Sequence, residues 1–552
     1  MCGIAGIVDL RGRPVSPLDV QRMTDAIAHR GPDGEGQWVE DNVGIGHRRL
    51  SIIDLSPAGH QPMISPDHRY VLSYNGEIYN YRELREMLIA SGHSLRCQSD
   101  SEVIPHLYEE YGTDFVKYLR GMFGIAIYDS RRDRLVLARD RLGIKPLYYY
   151  RSDDRLLFGS EIKALLKNPS MSVAPNFDSI RAYLNLRYVP GEDNWSEGVK
   201  KLSPGHLMTI DSRGQKIERY WQLDYSSPEF SSRAEAQEAY AEMYGDAVRS
   251  HLVSDVPVGL FLSGGMDSSS ILAATVESGR KDIRCFTADF GMGDAVDETK
   301  PAQAVARHFG VQHDILTVPR AEVELLEDVL WHLDEPIGDP AVLPTYLLAK
   351  VASEEVSVVL TGEGSDEINA GYQRELRYQL FVENRQRISA IHRLPKFLKN
   401  LPMVRRKLAP WLGLLNANSE VQRFQNADGF VFGEGLFDDG SELTQGAGVP
   451  ALNEIMEDCH ATDLLERRLH FSRQSFMLED LIPKVDRMTM AHGLEARVPF
   501  LDHHLVELSA RIPGRWKADT KRRWTKAILR DVMDGRLPTE TVSRGQHGFN
   551  VP

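Results

Sequence analysis

Two stretches of this chain carry residue types whose order suits them to chemistry. Cys2 directly follows Met1. Removal of the initiator methionine would leave one residue bearing both a thiol and a free α-amine. That amine ordinarily titrates at about 7.7–8.0, so a useful fraction is neutral and can take the thiol proton through water, making one residue both nucleophile and base. The second stretch is Ser263-Gly264-Gly265-Met266-Asp267-Ser268-Ser269, which follows the apolar run from Val256 to Leu262. A strand buried on both faces, a glycine turn and a helix start in that order leave unpaired N–H groups and the positive end of a helix dipole facing whatever sits in the turn. The stretch reads as a phosphate cradle, yet the chain has no G-x-x-x-x-G-K-S/T loop and no clean G-x-G-x-x-G after a strand.

The elements that must hold these residues follow from the patterning. Ala234 to Leu252 has helical spacing and leads into the cradle strand. Ile283 to Phe290, His313 to Val318 and Val356 to Leu360 read as further strands, with Thr299 to Phe309 helical between them. Strands alternating with helices predict a parallel, doubly wound sheet. Thr361 to Glu367 (TGEGSDE) then sits at a strand's carboxyl end, as Ser263 to Ser269 does, and ligands of open α/β sheets bind along that edge. Upstream, Gly121 to Asp129, Arg134 to Tyr150 and Arg155 to Leu165 are short alternating runs broken by turns, the pattern of antiparallel strands. From Tyr372 onward the pattern is largely helical. The expected divisions are an N-terminal domain over 2–210, a linker over 211–232 that contains Pro228 and several serines, and a second domain over 233–552.

The bulk properties bound the rest. At 552 residues the chain needs at least two cores, and 42% hydrophobic with 26% charged residues is a globular composition. A net charge of −14 argues against a general nucleic-acid surface. Cys2, Cys97, Cys285 and Cys459 lack C-x-x-C spacing, which disfavours a disulfide framework or structural zinc site. No apolar run approaches the ~20 residues of a membrane helix, and no basic segment followed by an apolar core opens the chain. A cytoplasmic protein with small-molecule substrates, no nucleic acid and no membrane is expected.

The start, MCGIAGI, resembles the class II glutamine amidotransferases, whose N-terminal cysteine attacks the side-chain amide of glutamine. Segments that recur in that family stand in order: HRGPD (His29 to Asp33), GHRRLSIID (Gly46 to Asp54), YNGEIYN (Tyr74 to Asn80) and SDSEVI (Ser99 to Ile104). The resemblance implies an α/β/β/α sandwich of the N-terminal-nucleophile type. It implies glutamine binding by Arg49, Leu50, Ser51, Ile52, Ile53, Asn75, Gly76, Glu77 and Asp100, with Arg49 and Asp100 on the zwitterionic head. Attack on an amide creates an oxyanion, to which Asn75 and the Gly76 N–H could donate.

SGGMDSS resembles the SGG(L/V)DSS signature of the ATP pyrophosphatases. With both signatures in one chain, and with LIPKVDRMTMAHGLEARVPFLD (Leu481 to Asp502) and TKAILR (Thr525 to Arg530) further on, the chain resembles the B-type glutamine-hydrolysing asparagine synthetase family over almost its whole length. That implies ATP and Mg²⁺, with Leu262, Ser263, Gly264, Gly265, Asp267, Ser268, Ala288, Thr361 and Gly362 at the nucleotide. Asp267 and Asp366 would hold the metal, and Glu363 would orient the acceptor. A homodimer fits the resemblance. Two departures stand out. The family's late R-x-K-x-G-F lysine is matched here by Gln546, within Arg544-Gly545-Gln546-His547-Gly548-Phe549, and the family tends to continue beyond Pro552. Two alternatives accompany aspartate amidation: the same chemistry on another carboxylate, such as a sugar acid or natural product, because the motifs activate carboxylates generally, or, from these departures, a glutamine-sensing protein with a weakened synthetase step.

Overall fold

The structure, a computed structural model, describes residues 2–225, 230–289, 298–318, 324–393, 402–428 and 446–545. Gln546 and the residues after it lie outside the described residues.

The strand GIAGIVD, Gly3–Asp9, organises the N-terminal half. Its side chains alternate between faces. Ile4 and Val8 enter a core shared with Val71, Ala126 and Leu137 of a second sheet, while Ala5 and Ile7 pack with Val20 and Met23 of the helix Pro17–Asp25 on the outer face. The first sheet runs, in spatial order, Val199–Lys201, Tyr148–Arg151, Arg155–Gly159, Gly3–Asp9, Val43–Arg49 and Gly34–Glu40. The second runs Gly214–Arg219, His206–Asp211, Arg134–Arg139, Gly121–Asp129, Tyr70–Ile78 and Met63–Ile64. Every strand pairing in both is antiparallel. The helices Tyr81–Ala90 and Val103–Tyr111 cover the outer face of the second sheet through Leu84, Leu88, Ile104 and Leu107. These layers are the expected α/β/β/α sandwich.

The expected linker needs correction. Gly214–Arg219 is a strand, paired antiparallel with His206–Asp211, so the second sheet extends past residue 211. This edge strand is solvent-exposed on both faces and carries no apolar alternation for a pattern reading to find.

The third sheet is wholly parallel, in the order Gln312–Thr317, Arg284–Asp289, Val258–Phe261, Val358–Leu360 and Glu495–Arg497. Strand order reverses between Val258–Phe261 and Val358–Leu360, a topological switch point whose crevice lies beyond the strands' carboxyl ends. Helices Arg233–His251, Met266–Glu277 and Thr299–Phe309 pack one face; Val342–Ala352 and Ile482–Met490 pack the other. The fifth strand falls inside the stretch expected to be helical, because three residues with two buried charges give no strand signal.

Two buried histidines and one half-buried one are held neutral. Burial lowers His251, His470 and His492 from 6.5 to about 4. The unfolded chain binds these protons near 6.5 whereas the native state resists them until about 4. Their contribution is therefore complete above pH 6.5 and is lost as pH falls through about 4. Urea midpoints should fall steadily between pH 7 and pH 4.5; a flat profile across that window would contradict this account.

Candidate active sites

Register puts the first site together. Gly3 pairs with Arg48, so Cys2 stands beside Arg49 and Leu50 at the end of the neighbouring strand. The Cys2 thiol approaches the Leu50 carbonyl at 3.9 Å, and the Cys2 N–H donates to Asn75 Oδ1 at 2.9 Å, linking the two sheets. The residue is only 7% exposed. Burial pushes its thiol up, with the charge of nearby Arg49 acting in the opposite sense, so attack needs a base.

Asn75 accepts through Oδ1, and its buried Nδ2 has no hydrogen-bond partner among the described residues. An orphaned donor beside a thiol suits developing oxyanion charge. Gly76 shares that edge. Both main-chain groups of its cross-strand partner Phe123 bond to Asp140, while the flanking Tyr74 and Ile78 N–H groups donate outward to Gln61 Oε1 at 2.7 Å and Asp100 Oδ2 at 3.0 Å. By strand alternation the Gly76 N–H points the same way. A Cβ on Gly76 would sit 2.1 Å from the Met122 carbonyl. Gly76→Ala should therefore displace this strand, costing about 1–3 kcal/mol or more and lowering glutamine hydrolysis. The urea midpoint and glutaminase kcat check it, and an unchanged pair of values would contradict it.

Arg49 uses two of its five N–H donors on the Ser56 carbonyl at 3.1 Å and the Asp54 carbonyl at 2.5 Å, which fixes its plane. Asp100 is buried and accepts from the Tyr74 hydroxyl at 2.8 Å, and burial raises its pKa. Ser51 N–H donates to Asp33, and the Ile52 carbonyl accepts from Asp255 N–H of the second half at 3.0 Å; Leu50 and Ile53 are buried. Glu77, on the same strand face as Asn75, accepts through Oε2 from Arg497 at 2.9 Å.

The second site occupies the switch point. Gly264 adopts φ +68°, and a Cβ there would meet Pro301 and Ala302 at 2.5 Å, so only glycine makes this turn. Ser263 Oγ accepts from Gly265 N–H at 3.2 Å and contacts Ser268 Oγ at 3.0 Å, shaping the helix entry. A cavity of about 370 Å³ opens here, lined by Leu262, Ser263, Gly265, Asp267, Ser268, Ala288, Thr361, Gly362, Glu363 and Asp366. Of the expected nucleotide residues, Gly264 alone is behind the wall. The two loops touch, since a Cβ on Gly362 would lie 2.9 Å from that of Asp267. Thr361 Oγ1 is buried with no partner among the described residues. A larger cavity, about 680 Å³, lies among residues 189–206 and 448–479 and holds none of the expected site residues.

Sequence reasoning missed the cations. Lys526 Nζ lies 2.5 Å from Asp267 Oδ2 and 2.8 Å from Asp366 Oδ1, and the two carboxylates hold its pKa up against burial. The expected metal carboxylates thus converge on one positive charge, so their donor set fits a cation. Lys484 donates to Asp339 at 2.8 Å and stands 3.7 Å from Glu363, whose pKa burial raises. Arg530 and Arg544 also line the cavity. Local positive charge at this site is thus supplied without residue 546.

A buried ionic layer joins the halves. Arg30 donates to the Cys2 carbonyl at 3.1 Å, to Glu161 at 2.8 Å and to Asp486 at 2.9 Å. Asp486 lies on Ile482–Met490, the helix that also sends Lys484 to the second cavity. Arg497 holds both Glu77 and Glu495.

A sandwich lobe with Cys2 beside Asn75, joined to a doubly wound lobe with a phosphate-type loop at its switch point, gives the chain two candidate active sites. Comparison with known proteins names both parts. Residues 1–221 match the glutamine amidotransferase domain, and residues 239–552 match asparagine synthase. Asparagine synthetase [glutamine-hydrolyzing] 1 of Bacillus subtilis is 32% identical over all of this chain and 87% of its own length. Asparagine synthetase [glutamine-hydrolyzing] 3 of the same organism is 31% identical over 99% of this chain and 86% of its own length. Amidase chry2 of Gibberella zeae is 29% identical over 100% and 89%. The chain belongs to the asparagine synthase family and is an amidotransferase-type ligase with a fused glutamine amidotransferase domain. No helix among the described residues is long and apolar enough to cross a membrane.

Proposed function

We propose that this enzyme converts aspartate to asparagine with ATP, using ammonia released from glutamine. The observation that carries the reading is the meeting of Ser263–Ser268 with Thr361–Asp366 around one cavity, in a chain whose Cys2 is tied to that cavity's wall through Arg30 and Asp486.

Cys2 Sγ attacks the glutamine amide carbon, its proton passing to the α-amine. The tetrahedral oxyanion is met by Asn75 Nδ2 and the Gly76 N–H. Collapse expels ammonia and leaves a thioester, which water hydrolyses to glutamate and the free thiol. In the second cavity an aspartate carboxylate oxygen attacks the α-phosphorus of ATP and displaces pyrophosphate. Ammonia then attacks the acyl-adenylate carbonyl, AMP leaves, and Glu363 takes the surplus proton. Asp267 and Asp366 would hold Mg²⁺, which neutralises triphosphate charge when bound. The cradle N–H groups and Lys526 carry the remaining electrostatic load.

The full-length likeness to an amidase as well as to asparagine synthetases favours one further reading, the same chemistry on a different carboxylate. Pyrophosphate release, measured with glutamine, ATP and Mg²⁺ against a panel of acids, decides between them. Aspartate should stimulate it strongly with equimolar AMP and asparagine. Stimulation by another acid and none by aspartate would reject the aspartate reading, and no nucleotide turnover with any acid would leave glutamine sensing.

A further inference from the structure

Away from both centres, His93, His106 and Glu109 bring three ligand atoms within 4.8 Å of one another. We infer that they form a transition-metal site of the Zn²⁺ class, which clamps the loop that carries Asp100.

The backbone fixes the first ligand. Helix Tyr81–Ala90 ends in a left-handed turn at Gly92, φ +96°, and the His93 N–H returns to the Leu88 carbonyl at 3.0 Å, a closure that holds His93 in place. His106 and Glu109 are one turn apart on helix Val103–Tyr111 and so share a face. His93 Nδ1 lies 3.0 Å from His106 Nδ1 and 3.9 Å from Glu109 Oε2. Ligand atoms about a tetrahedral ion with bonds of ~2.0–2.2 Å sit roughly 3.3–3.6 Å apart, between those two values.

A separate contact points the same way. His93 Nε2 is 2.8 Å from Glu110 Oε1. Donation from Nε2–H to that carboxylate puts the lone pair on Nδ1, towards His106 and Glu109. A carboxylate holding the outer nitrogen of a ligand imidazole is the usual support for a bound metal, setting tautomer and raising basicity. Two imidazoles and one carboxylate, with a fourth position for water, suit Zn²⁺ and disfavour Mg²⁺ or Ca²⁺, which take oxygen shells. The segment between the ligands holds Cys97, Asp100 and Glu102. Glu102 accepts from the Arg96 and Cys97 N–H groups at 2.6 and 2.8 Å, and Asp100 reaches Tyr74 and Ile78 at the glutamine site. A metal joining the base of this segment to the helix beyond it limits how Asp100 can move.

Co²⁺ titrated into chelator-treated full-length protein tests this. One equivalent per chain should develop the intense visible d–d bands of a tetrahedral nitrogen-containing shell, displaced by Zn²⁺. Oxygen-only sites such as Asp267 with Asp366 give only weak bands. Zn²⁺ should also raise Tm. His106→Leu should abolish both responses while an unchanged far-UV circular dichroism spectrum shows that the variant is folded, and Glu110→Gln, with all three ligands intact, should weaken Co²⁺ binding roughly 10–100-fold. Absence of the bands at one equivalent, or bands unchanged in His106→Leu and Glu110→Gln, overturns the site.

Discussion

Cys2→Ala protein should make no product from glutamine and should make it from ammonium at close to the wild-type rate. The expected loss is large, on the order of 10³-fold or more, because removal of a covalent nucleophile eliminates the step rather than weakening it. It should be specific because nothing in the second cavity depends on the thiol. Arg30 holds the main-chain carbonyl of residue 2, a group alanine also presents, and thereby keeps Glu161 and Asp486 in register. The Cys2 N–H to Asn75 bond is likewise a backbone feature that survives. Removing one sulfur atom from a side chain at 7% exposure costs little packing, so the unfolding free energy in urea should fall by less than about 1 kcal/mol. Product formation from both nitrogen donors, followed with ATP and aspartate present, distinguishes the outcomes. Loss of the ammonium-driven reaction as well would mean that the two centres are not separable, and retained glutamine-driven synthesis would remove Cys2 from the chemistry.

Much of the scaffold was legible because its signals are local. Gly264 must be glycine to turn at φ +68°, and the serines at 263 and 268 shape a helix entry only at that spacing, so the loop declares itself in a few residues. The apolar strands Val258–Phe261 and Val358–Leu360 stand out because both faces are covered. Arg30, Lys484, Asp486, Arg497 and Lys526 gave no comparable signal. Charged residues in a helical pattern ordinarily mark a solvated face, yet these five are buried and their partners lie up to hundreds of positions away: Arg30 meets Asp486, and Lys526 meets Asp267. Only tertiary packing reveals that their charges are paired. The Gly214–Arg219 strand escaped for the opposite reason, since neither of its faces is buried. The family segment Leu481 to Asp502 was recognised as a unit, but its work of reaching both centres from one helix depends on side-chain direction that the string does not encode.

Lys526→Met should cut ATP-dependent pyrophosphate release by roughly 10²–10³-fold and leave glutamine hydrolysis unchanged. Lys526 is 2% exposed on its side chain and is shared by Asp267 and Asp366. Asp267 is further fixed by the Ser365 hydroxyl at 2.6 Å. Methionine keeps the length and removes the positive charge that the two carboxylates on adjoining loops share. Breaking such an ionic cluster from one side costs about 3–5 kcal/mol, and this cost should depend on Mg²⁺. A dication taken up between the carboxylates replaces the missing charge, so Mg²⁺ should restore much of the lost urea stability in Lys526→Met and add less to the wild type. Lys526→Arg keeps the charge and should recover stability more fully than activity, because the planar guanidinium cannot take the position of a compact ammonium. Three measurements on each variant suffice: pyrophosphate release, glutaminase rate, and urea midpoint with and without Mg²⁺. Wild-type pyrophosphate release from Lys526→Met would show that the ammonium between the carboxylates has no part in handling the nucleotide. A stability loss indifferent to Mg²⁺ would show that Asp267 and Asp366 do not form a cation site.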